Sequence, residues 1–181
     1  MATTLAINQI KAAVGWDYET VLAYGNAVTN NTYTYSSTLA NGTGAGSASK
    51  IVIVQADGST GGSAVLAASG TASYDLSAFT DPFGSALSFS KVRVFFLQNL
   101  TAQSQPTTVL SVGGDTSNPW VGTAQPLSGT TPLAYCGPNG CLLFARTDGT
   151  GFTVDSTHKT IKITNLDGSN TCAYKLVIIG E

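Results

Sequence analysis

From residue 50 onward, short apolar runs alternate with turn residues. The clear runs are KIVIVQ at 50–55, SAVLAAS at 63–69, LSFSKVRVFFLQN at 87–99, TTVLSVGG at 107–114, CLLFAR at 141–146, GFTVD at 151–155, KTIKITN at 159–165 and AYKLVIIG at 173–180. Strand-sized runs at this spacing predict an all-β fold: a single antiparallel β-sandwich of two packed sheets, not strands alternating with helices. Asp57-Gly58, Asp148-Gly149 and Asp167-Gly168 each fall between runs, where Asp-Gly tolerates the positive φ of tight hairpins, so these aspartates are expected to serve turns.

Parity within the runs predicts faces. Ile161 and Ile163 share one side of their strand, with Lys162 and Thr164 on the other, wet side. In KVRVFFL, Val92, Val94 and Phe96 form one row, and Lys91, Arg93, Phe95 and Leu97 the other. The second half is therefore apolar on both sides, as in a central strand or one that meets a neighbouring subunit. Residues 1–49 read differently: a moderately periodic stretch from Thr4 to Val14 predicts a helix, followed by the polar, Gly-rich TNNTYTYSSTLANGTGAGSAS. This segment is expected to be a less regular N-terminal arm or an edge segment, with the sandwich domain spanning residues 50–181.

Composition narrows the possible functions. Charged residues make up 10% of the 181, against about 25% in ordinary soluble domains, while the apolar share is 43%. The polarity is carried by Thr, Ser, Asn and Gly, which favour turns, caps and strands over long helices. A net charge of -2, with no basic cluster, argues against nucleic-acid binding. No apolar run approaches the roughly 20 residues needed to span a bilayer as a helix, so no membrane association is expected. MATTLAINQIKAAVGW lacks the pattern of a secretory signal, which predicts synthesis in a cytoplasm and makes null sites of the sequons at Asn30, Asn41 and Asn99.

Candidate chemistry is sparse. In AYCGPNGCLLF, a turn centred on Pro138-Asn139 would pair Gly137 with Gly140 and set Cys136 across from Cys141 on one face. Such a pair either forms a disulfide or packs as two reduced, small apolar side chains. Zinc would also need Cys172 and His158, at a spacing foreign to the common knuckles, and parity puts Cys172 on a buried row with Tyr174, Leu176 and Ile178. His158, the single histidine, lies in the polar connection DSTHKT and is expected to be an exposed loop residue. No Gly-x-Ser-x-Gly elbow is present, and Glu19 and Glu181 are the sole glutamates. The loops ADGSTGG and RTDGTG lack the ligand series of a calcium cage. SVGGDTSN lacks the lysine of a phosphate loop, and its glycines are expected at a bulge or corner. Trp16 and Trp120, with the tyrosines, would suit either a sugar-stacking platform or a core. The reading is of a non-enzymatic chain with no catalytic, cofactor or metal residues.

Residues 72–181 resemble small virion proteins of tailed bacteriophages. The residues that carry the resemblance are Asp75-Leu76-Ser77 leading to Asp81-x-Phe83-Gly84, the strand ending at Asn99, the Gly113-Gly114 corner, Ile163-x-Asn165, and Tyr174 with Val177-Ile178-Ile179-Gly180. The cysteines beside the Pro-Asn-Gly turn, Cys172 and the first 49 residues depart from that pattern. The resemblance implies a jelly-roll-like sandwich made in a host bacterial cytoplasm and incorporated in the virion. Its partners would be the major capsid protein or other virion proteins, in a homo-oligomer for which a trimer is expected. The implied role is capsid decoration or cement, with a tail or fibre component, or a receptor- or carbohydrate-binding module using Trp120, as alternatives.

Overall fold

The structure, a computed structural model, describes residues 7–22, 25–54, 64–80, 85–128 and 133–181. In chain order the strands are β1 (Ile7–Leu22), β2 (Gly25–Asn41), β3 (Ser47–Ala48), β4 (Lys50–Val54), β5 (Ala64–Leu66), β6 (Thr71–Asp75), β7 (Phe79–Thr80), β8 (Ala86–Leu87), β9 (Lys91–Asn99), β10 (Leu110–Gly114), β11 (Leu133–Cys136), β12 (Cys141–Ala145), β13 (Phe152–Thr153), β14 (Thr160–Asn165) and β15 (Cys172–Gly180). No helix occurs among the described residues. The expected helix over Thr4–Val14 is thus corrected: Ile7–Val14 belong to β1, where pairing with β2 outweighs a weak local periodicity.

The sandwich is a nested set of antiparallel pairs. β4 pairs with β15, β6 with β14, β9 with β12 and β10 with β11. Two further pairings, β9–β15 and β10–β14, roll this long double-back into two sheets, ordered β12-β9-β15-β4 and β11-β10-β14-β6. β5 and β13 extend the first sheet on β15 and β9. Between the sheets, Phe95, Leu97, Leu176 and Ile178 meet Leu110, Val112, Ile161 and Ile163 in one buried cluster. Each such side chain contributes roughly 1.5–3 kcal/mol when fully buried.

The Ile161/Ile163 row is buried with Lys162 and Thr164 on the outer side, and β9 is a central strand with apolar cover on both faces. The row assignment within β9 needs correction. Val92 joins the sandwich core with Phe95 and Leu97, whereas Val94 packs on the opposite face. The cause is a register shift against β15: Ile179 pairs with Val94 but Gly180 with Val92, so one residue of β9 is unpaired and the alternation slips. Gly180 permits this, because a Cβ there would overlap the Lys91 carbonyl.

One polar pair crosses the core. The Tyr74 and Tyr174 hydroxyls, from opposite sheets, hydrogen-bond at 2.5 Å. Burial pushes both phenols above their ordinary range.

Candidate interaction surface

Ahead of the sandwich, β1 and β2 form a hairpin ribbon with a register running from Ile7↔Leu39 to Leu22↔Gly25, shifted between Ile7 and Ile10. At about 3.3 Å per residue the strands span roughly 50 Å. Paired residues share a face, so Ile10/Ser37, Ala12/Tyr35 and Val14/Tyr33 make one row and Lys11/Ser36 and Ala13/Thr34 the other. The first row starts inside the fold: Ile10 and Leu39 are buried with Ala48 against Val94 and Ile179, on the outer face of the six-stranded sheet. It then runs on uncovered, with Tyr35 43%, Val14 66% and Tyr33 74% exposed. Beside the ribbon's base, the same sheet face keeps an apolar groove of about 190 Å³ lined by Ile7, Ile10, Val94, Phe96, Leu143 and Val177.

The base of the ribbon is clasped to the sandwich. The Gly46 N–H donates to the Thr147 carbonyl at 2.8 Å and the Ser49 N–H to the Gly180 carbonyl at 2.9 Å. Arg93, fully buried, donates to the Gly44 carbonyl at 3.2 Å and to the Asp148 carbonyl. The buried Glu181 carboxylate faces Arg93 at 3.4 Å and takes Lys91 Nζ at 2.6 Å. A buried guanidinium is tolerated when paired in this way. One side chain therefore links the β2–β3 turn, the loop after β12 and the end of β15.

The residues singled out for chemistry lie apart from this surface, and of them Cys136 and Cys172 meet the same Asn99 side chain. The Gly137–Gly140 turn forms, with Pro138-Asn139 central and Asn139 at φ 56°, but it joins the two sheets instead of closing a hairpin. β11 pairs with β10 and β12 with β9, leaving Cys136 buried and Cys141 exposed, and both thiols are free. The facing pair is therefore corrected. Cys172 is buried on the row of Tyr174, Leu176 and Ile178, its thiol donating to Asn99 Oδ1 at 3.3 Å. Burial pushes the Cys136 and Cys172 thiols up. Among the described residues, no three His, Cys, Asp or Glu side chains gather as a metal site requires.

His158 is partly exposed in a turn capped by Asp155, whose Oδ1 accepts from the Thr157 hydroxyl and from the Thr157 and His158 N–H groups, each at 2.8 Å. The Thr157 hydroxyl and those N–H groups hold the Asp155 carboxyl well below its usual range. Trp120 is fully buried, with Nε1 donating to the Thr153 carbonyl at 2.8 Å, which removes it as a sugar platform; the Trp16 side chain lies outside the described residues. Asp148 and Asp167 do serve turns, by accepting N–H groups of Thr150 and Gly151, and of Ser169 and Asn170. Positive φ falls elsewhere, at Gly151 for example and not at Gly149 or Gly168. Asp57-Gly58 and the Asp81–Gly84 motif lie outside the described residues. Gly113 and Gly114 continue β10 without a register shift, correcting the expected bulge; Gly114 makes room for Pro119. Asn99 is buried, its amide donating to the Thr108 carbonyl at 2.7 Å, so its sequon is closed to modification.

The ribbon's row was missed in the sequence because Ala12-Ala13 blur the alternation. The signal that could have found it was Ile10-x-Ala12-x-Val14 against Tyr33-x-Tyr35. Compared with family models, with curated proteins and with solved structures, the chain matches none.

Proposed function

We propose that the chain is a non-enzymatic structural subunit of a tailed-bacteriophage virion, a capsid decoration or cement protein that docks through its β1–β2 ribbon and stabilises the shell. The observation that carries this reading is the ribbon's apolar row, which begins under the sandwich at Ile10 and is uncovered at Tyr35, Val14 and Tyr33. An exposed apolar strip of this kind marks an interaction site. The nested order β12-β9-β15-β4 over β11-β10-β14-β6 supports reading the sandwich as a jelly roll, an architecture used in viral shells. A subunit that binds the intact shell in preference to the open one stabilises it by mass action.

The test replaces residues 13–34 by Asn-Gly, which closes the ribbon at the Ala12↔Tyr35 pair with a tight turn. The sandwich should still fold, and the variant should be absent from purified particles that carry the full chain. Unchanged occupancy would sink the docking role. Counting copies per particle by quantitative mass spectrometry separates the shell from the tail tip: a handful would favour a fibre or tip component.

A further inference from the structure

We infer that the outer face of the six-stranded sheet binds a single-chain amphiphile with an anionic head, a free fatty-acid carboxylate, in the groove beside the ribbon's base. The inference stands apart from the docking role of the ribbon. An antiparallel sheet with one face on the core normally presents polar side chains on the other. Here the pairing sets Leu143–Phe96–Val177 and Ala145–Val94–Ile179 in two adjacent rows on the outer face. Ile10 and Leu39 of the ribbon pack over Val94 and Ile179. Phe96, Leu143 and Val177 are only partly covered, and they line the groove of about 190 Å³.

Charge selects the occupant. Gln98 and Lys175 pair in the next row along the sheet, so an exposed ammonium stands one step beyond Phe96 and Val177 on the same face. From the ribbon, exposed Gln9 and Lys11 line the groove as well. None of these row and rim positions is acidic, and neither lysine enters an ion pair among the described residues. An apolar trough with cations at its rim matches an alkyl chain with an anionic head. The chain leaves water while the carboxylate stays at the rim beside an ammonium.

The size of the groove sets the length of the chain. A methylene takes about the volume of a liquid water, about 30 Å³, so the groove holds about six of them. It falls below the roughly 300–1,000 Å³ of pockets for drug-sized ligands and is too small for a two-chain lipid. A fully buried methylene tightens binding about fourfold, and one left half in water about twofold.

Calorimetric titration of the purified full chain at about pH 7 with butanoate, hexanoate, octanoate and decanoate reads this directly. The expected result is one saturable site that tightens about twofold to fourfold per methylene up to octanoate and levels off beyond it. Amide NMR shifts on adding octanoate should centre on Phe96, Leu143 and Val177. Octyltrimethylammonium, with the same chain and the opposite charge, should bind at least about threefold more weakly, and Lys11→Gln with Lys175→Gln should remove that preference. Val177→Phe fills the groove from a partly exposed position and should weaken octanoate at least about tenfold. Lys162→Gln, on the other sheet, should leave binding unchanged. No saturable binding below about 10 mM octanoate overturns the inference, as do equal affinities for the two octyl ions or shifts that centre elsewhere. Binding to phosphatidylglycerol vesicles without binding to octanoate also overturns it, the occupant then being a lipid surface. So does a chain that dimerises through Phe96, Leu143 and Val177 and excludes octanoate, the occupant then being a second copy.

Discussion

Replacing Gly180 by alanine tests the account of how β9 and β15 close the sandwich. Gly180 sits where the β9–β15 register slips. A Cβ there would overlap the Lys91 carbonyl oxygen and lie 3.0 Å from Phe89 Cδ1. Neither neighbour yields freely, since Phe89 is buried and the Lys91 carbonyl accepts the Glu181 N–H at 2.9 Å. Opening the strands enough to admit the methyl costs that hydrogen bond, about 1 kcal/mol, plus overpacking strain of about 1–3 kcal/mol. The sum, about 2–4 kcal/mol, lowers Tm by roughly 6–12 °C in a domain of this size. Urea unfolding should show a lower midpoint at constant slope. Gly44→Ala is the control, because a Cβ there meets nothing within 4 Å. A Gly180→Ala loss below about 0.5 kcal/mol would refute the steric argument, since a surface substitution does as much.

Tyr174→Phe leaves the Tyr74 hydroxyl without its core partner and should cost about 1–3 kcal/mol, while the double Phe variant should cost less than the sum of the singles; strictly additive losses in a denaturation cycle would mean that the hydroxyls do not interact. The Thr107 hydroxyl, then the Asn170 amide and the N–H groups of Ser169 and Asn170, hold the folded Asp167 carboxyl well below its usual range. A depressed carboxylate stabilises fully above the unfolded pKa of about 4 and loses that contribution as pH falls through it toward the folded value. Asp167→Asn should therefore destabilise at pH 7, with the gap to wild type closing below about pH 4; a gap that does not vary with pH would contradict this. An aromatic disulfide reagent should label Cys141 in the native protein, and Cys136 and Cys172 only after unfolding; rapid native labelling of all three would disprove their placement.

What the sequence reveals here is local. Ile161/Ile163 and the row Cys172, Tyr174, Leu176, Ile178 are legible because the register with the neighbouring strands is unbroken over those residues, so period-two alternation survives. The turn at Pro138-Asn139 is legible too, but its consequence is not. The same four residues can close a hairpin or carry the chain from one sheet to the other, and the choice is made by Leu110 and Gln98, which take Cys136 and Cys141 as their partners. Both lie far away in sequence. The slip in β9 is hidden for a related reason: it depends on Gly180, more than 80 residues downstream of Val92. In the ribbon, the adjacent Ala12 and Ala13 imitate a helix, and only the pairing with Tyr35 and Thr34 separates their faces.

The clasp gives the ribbon its mechanical character. Were the hairpin tethered by a flexible linker, a partner would have to supply the full cost of orienting it. Here Ile10 and Leu39 are packed on Val94 and Ile179, and Gly44, Gly46 and Ser49 are bonded to Arg93, Thr147 and Gly180. The direction in which the ribbon leaves the sandwich is thus set during folding, and a partner needs only to cover rows that are already aligned. Preorganisation of this kind raises affinity by lowering the ordering cost, not by adding contacts. It also explains why a buried Arg93 is worth keeping, although an apolar side chain would be cheaper to desolvate. A guanidinium can reach the Gly44 and Asp148 carbonyls and the Glu181 carboxylate at once, joining three segments that no single apolar contact would bring together.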